Sequence, residues 1–277
     1  MRQWLVLASR SLLRRDGIEI ADISCRHPRG RGEHAEHAGS HAIVFVRRGC
    51  FVRSVEGVET TLDPTLAYCI APEEEQRYDH PHDGGDDCTA LFLSSEVVES
   101  LRGGERTLPA GPISTEPKLD LRHRMLLAAA RRGEDDHALF ERSILLAAST
   151  LRRCDPGPTS SGRPGTEKAQ RTTVEGVREL LAIDADLSLP DLARELAVSP
   201  HHLSRIFNQV TGHTISKHRI RVRIRSALDR LAAGDRDLAR LALELGFADQ
   251  SHLSRAVRRE LGATPAALRH ALAQRSD

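Results

Sequence analysis

The chain has 277 residues, of which 39% are hydrophobic, 29% charged and 3% aromatic, and its formal net charge is +1. That length allows about two domains, each with its own hydrophobic core. No apolar run approaches the ~20 residues of a membrane span, so the composition excludes a membrane protein. The five cysteines are an odd number and form no CxxC pair, which predicts reduced thiols in the cytoplasm rather than a disulfide framework.

Short β-rich runs separated by turn residues occupy the first half of the chain. Four of them are AIVFV (42–46), CFVRSV (50–55), LAYCI (66–70) and TALFL (89–93). Strands this short and this closely spaced predict a small barrel or sandwich. We therefore expect residues 1–153 to form a first domain that begins with a β-barrel.

Two helical stretches follow the strands, at residues 119–132 and 135–153. Their apolar residues recur at helical spacing. The apolar residues of the second stretch include Leu139, Ile144, Leu146 and Leu151. Two arrangements stay open at this point, because the pair could pack against its own barrel or form a dimer seam.

A segment rich in proline, glycine and serine, CDPGPTSSGRPGTEKAQ, spans residues 154–170 and has no apolar periodicity. This composition predicts a flexible linker between two domains. From residue 166 to the end there are 18 lysines and arginines against 14 acidic residues, whereas the rest of the chain is net acidic. A basic half beside an acidic half indicates an anionic partner for the second domain.

The sequence after this segment repeats itself. Residues 189–214 match residues 238–264, and the His-Leu-Ser-Arg of 202–205 recurs at 252–255. Each copy is predicted to be a short helix, a tight turn and a second helix. Candidate N-caps of the second helices are Ser199 in the first copy and Asp249 or Gln250 in the second. Two copies are too few for a solenoid, so we interpret the repeat as a duplicated helix-turn-helix module.

The second helix of each copy is predicted to turn apolar residues inward and polar residues outward. The inward residues are Leu203, Ile206, Phe207 and Val210 in the first copy and Leu253, Val257 and Leu261 in the second. The outward residues are His201, Ser204, Arg205 and Asn208 in the first copy and Ser251, Ser254, Arg255 and Arg258 in the second. Hydroxyls, amides and guanidiniums suit base edges in a DNA major groove. Such residues could merely solvate a helix face, but the same set in both copies favours DNA recognition.

Residues 217–231 read KHRIRVRIRSALDRL and allow two interpretations. Strict alternation of arginine with apolar residues is typical of a strand. The apolar stripe that begins at Ile220 continues at helical spacing, and the segment must connect the two modules, so we predict a helix. Its cations include Lys217, Arg221 and Arg225 on one face. No acidic residue precedes Asp229 in the segment, so we expect these three side chains to contact DNA phosphates.

The region from residue 171 to 270 resembles the DNA-binding domain of AraC/XylS-type transcription regulators. The matching residues are Leu192, Ala193, Ser199, Leu203, Ser204, Arg205, Phe207, Gly212, Thr214, Ala227, Leu241, Ala242, Gly246, Phe247, Asp249, Gln250, Ser251, Ser254, Arg255, Gly262, Thr264, Pro265 and Arg269. The resemblance implies two helix-turn-helix units joined by a long helix, and it adds Gln250 to the expected DNA contacts. Four positions depart from the family pattern: Ile215, His218, Leu253 and Val257.

Regulators of this family often carry a cupin-like barrel that senses an effector or dimerises, and the strand runs here are similar in arrangement. His80-Pro81-His82 with Asp86 is similar to the HxH…acid pattern of metal-binding cupins, but the neighbouring glycines favour a solvated turn. We therefore predict no metal site and retain His80, His82 and Asp86 as weak candidates. Further candidates are Cys25 and Cys88 as ligands or redox thiols, and the histidine-rich stretch of His34, His37 and His41.

The sequence thus predicts an α+β multidomain chain, with a barrel and helical pair before an all-α domain of two helix-turn-helix units. The function expected is a one-component transcription regulator that binds double-stranded operator DNA and is not an enzyme. Its expected partners are a small-molecule effector, a second copy of the chain and, for an activator, RNA polymerase, with no cofactor. The alternative is a cupin-type metal-binding protein or metalloenzyme with an accessory DNA-binding module.

Overall fold

The computed structural model describes residues 7–26, 29–31, 35–153 and 164–273. Within these ranges the chain forms antiparallel β-sheets with three helices after them, and then seven further helices. No helix in the described part is both long and apolar enough to cross a membrane. The predicted α+β architecture is confirmed.

Eleven strands form the described part of two antiparallel sheets. They are β1 (Leu7–Arg15), β2 (Ile18–Cys25), β3 (Gly30–Arg31), β4 (Glu36–His37), β5 (His41–Arg48), β6 (Phe51–Val55), β7 (Val58–Leu62), β8 (Leu66–Ile70), β9 (Glu75–His80), β10 (Asp86–Leu93) and β11 (Pro112–Ser114). The first sheet has the order β1-β2-β10-β5-β8-β11, and the second has β3-β9-β6-β7 with β4 beside β9. All four strand runs expected from the sequence lie in these sheets.

Both faces of the first sheet are buried, because successive apolar side chains of its central strands point to opposite faces. On β5, Ile43 and Phe45 belong to one hydrophobic core, whereas Val44 and Val46 belong to another. Successive side chains of a strand point to opposite faces, so a fully apolar strand must be covered on both sides. The second sheet covers one face, and helices cover the other.

Three helices follow or cover the sheets: α1 (Ser95–Leu101), α2 (Pro117–Arg131) and α3 (Asp136–Leu151). Leu139 and Leu146 of α3 are buried in the same core as Ile43 and Phe45, and Ile144 packs against it. The helical pair therefore packs on its own sheet. The apolar residues considered for a dimer seam are used within the chain.

The remaining helices are α4 (Pro164–Ile183), α5 (Leu189–Glu195), α6 (Pro200–Thr211), α7 (Ile215–Ala232), α8 (Leu238–Glu244), α9 (Gln250–Leu261) and α10 (Pro265–Leu272). One core joins α4, α5, α6 and the start of α7, and a second joins α7, α8, α9 and α10. The segment with the arginine alternation is therefore a helix shared by both units, as predicted. Ala128 of α2 is buried in the second core, so the first domain contributes to it.

Two sequence expectations need correction. Residues 164–170, predicted as linker, form the first turns of α4, while residues 154–163 lie outside the described part. The helix extends this far because Glu167, Lys168 and Ala169 favour helix and a proline is tolerated at its start. Val210, predicted to face inward, is 42% exposed near the end of α6.

Candidate nucleic-acid interface and barrel cavity

Helices α6 and α9 are built in the same way. Ser199 Oγ accepts a hydrogen bond from the His202 backbone N–H at 3.2 Å, and Asp249 Oδ1 accepts one from the His252 N–H at 2.6 Å. These N-caps satisfy a backbone donor that the first turn leaves unpaired. The helices end at Gly212 (φ 72°) and Gly262 (φ 79°). The second N-cap is thus Asp249, one of the two candidates.

Each of these helices exposes the polar face expected from the sequence. Leu203 and Phe207 are fully buried on α6, as are Leu253 and Val257 on α9. The outward residues that are exposed are His201, Arg205, Asn208, Gln250, Ser251, Arg255 and Arg258, and those half-buried are Ser204 and Ser254. All nine predicted recognition residues therefore lie on surfaces that a ligand can reach.

The charge of these faces suits an anion. Helix α6 contains no acidic residue, and the acid of α9 is Glu260. The Glu260 carboxylate lies 3.3 Å from the guanidinium of Arg259 and 3.8 Å from that of Arg221 on α7. Arg255 and Arg258 thus project from a helix whose carboxylate is engaged by other cations.

The arginines of α7 bind protein groups that are distant in sequence. Arg219 donates to the Leu187 carbonyl in the turn before α5. Arg223 donates to the Gly246 carbonyl at 2.6 Å and pairs with Asp186. Because Gly246 lies in the turn of the second unit and Asp186 before the first unit's α5, Arg223 links the two units across α7. The partners of these two arginines lie outside the segment, so the fold supplies acidic and carbonyl groups that the local sequence does not contain.

Arg225 is 2% exposed, which contradicts the prediction that it contacts DNA phosphates. Its guanidinium donates to the Thr115 carbonyl of the first domain and lies 3.8 Å from the Asp120 carboxylate of α2. Arg221 is largely covered beside Glu260, whereas Lys217 is exposed. Of the three predicted backbone contacts, Lys217 is the one that is exposed.

A buried ionic network joins the two domains around Asp120. Arg124 donates to Asp120 at 3.0 Å, to the Arg47 carbonyl at 3.2 Å, and to Asp229 of α7. Burial raises the pKa of Asp120, but Arg124, His123 and Arg225 offset this and hold it below its usual value. Asp120, Arg124 and Arg225 are thus buried in one network, which Asp229 joins from a partly exposed position.

His123 connects this network to the sheet. Its Nε2 lies 3.0 Å from Thr89 Oγ1 on β10, and its Nδ1 lies 3.4 Å from Asp120. The ring also stacks on Phe45, with 4.7 Å between centroids. Burial lowers the pKa of His123 to about 4, against the opposing effect of Asp120.

The space between the two sheets contains a cavity of about 370 Å³. Its walls include Phe51, Ile70, Ala90 and Phe92. Polar groups converge at one side, where Tyr68 and Tyr78 hydroxyls lie 3.3 Å apart and Tyr78 donates to Gln76 at 2.8 Å. A mostly apolar cavity with a few placed polar groups is typical of small-molecule sites.

At another side of the cavity, Cys25, His80 and Asp86 come together, each with little exposure. His80 Nε2 lies 2.8 Å from Asp86 Oδ1, and the bond to Asp86 raises the pKa of His80 to about 9. His82 instead pairs with Glu179 of α4 at 3.0 Å. His37 on β4 lines the cavity but does not belong to the cluster, His41 lies on β5, and His34 is outside the described residues.

Comparison with known proteins identifies the helical part of the chain. A family model described as a helix-turn-helix domain matches residues 192–271. The regulatory protein SoxS of Salmonella typhimurium is 31% identical over 102 residues, which cover 94% of that protein and 37% of this chain. This chain belongs to the AraC/XylS family of transcription regulators.

The HTH-type transcriptional activator RhaS of Escherichia fergusonii is 25% identical to this AraC/XylS regulator over 258 residues, or 89% of this chain and 91% of RhaS. A crystal structure of an apo ToxT variant from Vibrio cholerae aligns over 94% of this chain and 99% of that one, at 11% identity and a TM-score of 0.41. A likeness at that level carries no functional argument. The family and its helix-turn-helix units establish a DNA-binding transcription regulator.

Sequence reasoning missed several residues of this regulator that bear on its sites. Thr115, Asp120 and Arg124 contact the second domain, and His123 joins Asp120 to the sheet. Cys25, a candidate ligand by itself in the sequence, takes the place of His82 in the cavity cluster. One signal was available for part of the interface, because Asp120 and Arg124 are an i, i+4 pair of opposite charge within an apolar helix. Nothing local in the sequence places Thr115 beside α7.

Proposed function

We propose that this regulator reads its operator with α6 and α9 in successive segments of the major groove. The observation that carries the proposal is the pair of exposed polar faces held on one bridging helix, α7. Its 18 residues span about 27 Å at ~1.5 Å per residue, close to the ~34 Å between successive major-groove segments. Base contacts are assigned to His201, Ser204, Arg205, Asn208, Gln250, Ser251, Ser254, Arg255 and Arg258.

Lys217 is assigned to a DNA phosphate. It is exposed in the first turn of α7, directly after α6 and its C-terminal glycine. A flexible ammonium group suits the sequence-independent contacts that position a protein on DNA. Arg221 and Arg225 are assigned to structural roles because Glu260 and Asp120 lie beside their guanidiniums.

The barrel cavity is proposed to bind an effector that modulates DNA binding. Along β10, Cys88 and Ala90 line the cavity, whereas Thr89 between them contacts His123. His123 lies against Asp120, which in turn lies beside Arg225 of α7. A ligand that shifts β10 would therefore act on the helix that holds both recognition helices, provided it binds the two arrangements with different affinity.

We place this regulator in the cytoplasm, where it has access to DNA. Its function is to bind DNA, not to catalyse a reaction. Both relatives described above are named as regulators of transcription or as regulatory proteins. We also propose that the regulator forms a homodimer. If it is an activator, its protein partner is RNA polymerase.

Selection of binding sites from a randomised DNA duplex pool tests the DNA assignment. The full-length protein should enrich a sequence, and Arg205→Ala or Arg255→Ala should each weaken binding to it by ~1–3 kcal/mol. An arginine contributes this binding free energy only when it bonds the edge of the cognate base. Affinity for unrelated DNA should therefore change little. Fluorescence anisotropy with both duplexes measures the two effects.

Arg142→Ala is the matched control. Arg142 is exposed on α3 and pairs with Glu134 at 3.0 Å, far along the chain from both recognition helices. Its replacement should leave affinity unchanged. Full cognate affinity in both Arg205→Ala and Arg255→Ala, with helix content intact by circular dichroism, would contradict the assignment.

A further inference from the structure

The cluster of Cys25, His80 and Asp86 joins the ends of three strands at the wall of the cavity. Cys25 closes β2, His80 closes β9 and Asp86 opens β10. One ligand atom from each residue, a sulfur, a ring nitrogen and a carboxylate oxygen, lies within 4.8 Å of the other two. Exposure of the three residues is 9%, 6% and 6%. These are metal-binding atoms in a site that solvent scarcely reaches.

The backbone around this cluster is constrained so that the three side chains meet. Gly85 has φ +64°, and a Cβ there would lie 2.0 Å from the Cys25 carbonyl oxygen. A Cβ on Gly49 would lie 2.4 Å from the Gly85 carbonyl oxygen. Only glycine allows strands this close, so the turn that carries Asp86 is pressed against the end of β2. The chain therefore sets the Cys25 and Asp86 positions before any ligand binds.

A second contact orients the Asp86 carboxylate on the side away from His80. The thiol of Cys88 donates to Asp86 Oδ2 at 3.3 Å, while Oδ1 faces His80 Nε2 at 2.8 Å. A hydrogen bond to the distal oxygen of a carboxylate is the kind of outer contact that orients a metal ligand. Cys88 lines the same cavity, so its sulfur is close to the cluster without belonging to it.

We propose that Cys25, His80 and Asp86 bind one zinc-class divalent cation at the cavity wall. Thiolate and imidazole ligands select zinc-like ions over magnesium or calcium, which prefer sets of oxygen ligands. Binding deprotonates the Cys25 thiol and releases that proton to solvent, leaving a thiolate–metal bond. Three protein ligands leave a fourth position open to the cavity, as zinc sites that accept an external ligand do.

The spacing suits a small adjustment rather than a rearrangement. Bonds of ~2.0–2.1 Å in a tetrahedral site separate nitrogen and oxygen ligands by roughly 3.3 Å. His80 Nε2 and Asp86 Oδ1 lie 2.8 Å apart, so they need to separate by about half an ångström. The metal replaces the proton that these two groups share, and that proton passes to solvent together with the one from the Cys25 thiol.

This set differs from the His80, His82 and Asp86 set considered from the sequence. His82 points to Glu179, and Cys25, distant in the chain, takes its place. The site goes beyond the proposed effector role and stands without it, because metal binding is measured directly on the protein. DNA binding is a separate readout, so failure of one proposal does not imply failure of the other.

Cobalt and zinc titration of the full-length, reduced protein tests the site. Co²⁺ should bind with a stoichiometry of one per chain and give a thiolate-to-cobalt charge-transfer band together with the intense visible bands of a four-coordinate ion. Zn²⁺ should abolish these bands and raise the midpoint of thermal unfolding. Competition with a chromophoric chelator gives the Zn²⁺ affinity.

Cys25→Ser and His80→Gln should each weaken Zn²⁺ binding by roughly 100-fold or more, above the ~10–100-fold effect of losing an outer contact. Matched controls are Cys50→Ser, which removes another buried thiol, and His82→Gln, which removes the neighbouring histidine. Both controls should bind Zn²⁺ like the wild type.

The proposal fails if the wild type binds less than one Co²⁺ per chain or binds it without the thiolate band. It also fails if folded Cys25→Ser and His80→Gln retain full affinity, or if Cys50→Ser loses the thiolate band. Should a variant not fold, as judged by circular dichroism, the wild-type thiolate band and its retention in Cys50→Ser and Cys88→Ser decide, because Cys88 is the other cysteine beside Asp86. Loss of the band in folded Cys88→Ser would overturn the assignment to Cys25.

Discussion

His218 lies in the core of the first helix-turn-helix unit, at a position where the sequence departs from the family pattern. It is 1% exposed, stacks on His213 at 5.7 Å and meets the edge of Phe207 at 5.4 Å. Burial lowers its pKa to about 3, opposed by Asp63 and reinforced by Arg178, His213 and Arg225. The ring is therefore neutral in the folded protein throughout the usual pH range.

This burial predicts that acid destabilises the protein through His218. The unfolded chain takes up a proton near pH 6.5, whereas the folded chain resists it down to about pH 3. Stability from this residue is complete above pH 6.5 and is lost as pH falls, by about 2 kcal/mol between pH 7 and pH 5. His218→Phe should remove that part of the pH dependence. Urea denaturation at both pH values measures it.

His137→Gln is the control, because His137 is exposed on α3 and its loss should leave the pH dependence of stability unchanged. Equal losses of stability between pH 7 and pH 5 in the wild type and His218→Phe would contradict the prediction. His123 is present in all three proteins, so the comparison reports on His218 and on His213, which stacks on it and whose pKa is also lowered by burial.

At the scale of elements, α7 is a structural bridge whose cations mostly bind protein. Arg223 joins the Gly246 carbonyl to Asp186, and Arg219 reaches the Leu187 carbonyl. A Cβ on Gly246 would lie 2.6 Å from the Arg223 guanidinium, and its φ of +72° already disfavours a side chain. Glycine adopts this conformation without a steric cost, and Ala197 takes the same left-handed conformation in the first turn at φ 53°.

Substitutions along α7 should separate electrostatic from structural roles. Lys217→Gln should flatten the slope of log K against log[salt] by about one unit, because one phosphate contact is lost. Arg225→Gln should leave the slope unchanged but lower the free energy of unfolding by ~3–5 kcal/mol, since it leaves Asp120 with one fewer partner in a buried network. Salt titrations of DNA affinity and urea denaturation measure the two quantities.

Each of these two variants serves as the control for the other. A flattened salt slope in Arg225→Gln would show that Arg225 leaves the interface and reaches DNA. An unchanged slope in Lys217→Gln would remove Lys217 from the proposed phosphate contacts.

At the scale of the whole molecule, the two domains are coupled through a buried interface. Ala128 of α2 lies in the core of the second helix-turn-helix unit. Arg132 at the end of α2 donates to the carbonyls of Ala271 and Ala273, at 3.1 and 3.0 Å. His82 reaches Glu179 at a separate point. The two domains therefore share apolar and ionic contacts at points away from residues 154–170.

Asp120→Asn should therefore weaken the whole molecule. It leaves Arg124 and Arg225 buried without the carboxylate they share, a loss of ~3–5 kcal/mol in the free energy of unfolding. In calorimetry the helix-turn-helix units should then unfold separately from the first domain. Asp16→Asn, which breaks an exposed pair with Arg15, should cost less than ~1 kcal/mol. Equal small costs in both variants would show that the ionic network does not couple the domains.

Local patterns in the sequence predict many of the elements and both exposed recognition faces. Periodicity located the four apolar strand runs, the helix over 217–231 and the duplicated units, because these patterns depend on local spacing. The outward positions of Arg205 and Arg255 followed from the same spacing. The function was inferred from the resemblance to a family, because the matched residues include the N-caps Ser199 and Asp249 and lie in both helix-turn-helix units.

The positions of the buried charges, and the side chains that meet in the cavity, follow from packing in three dimensions. Arg225 binds a carbonyl 110 residues away, and Cys25 joins His80 and Asp86 through strand pairing. Local sequence shows which cations lack a nearby acid, but it does not show which distant groups the fold brings to them. Burial and long-range partners follow from packing across elements, where sequence spacing carries no information on distance.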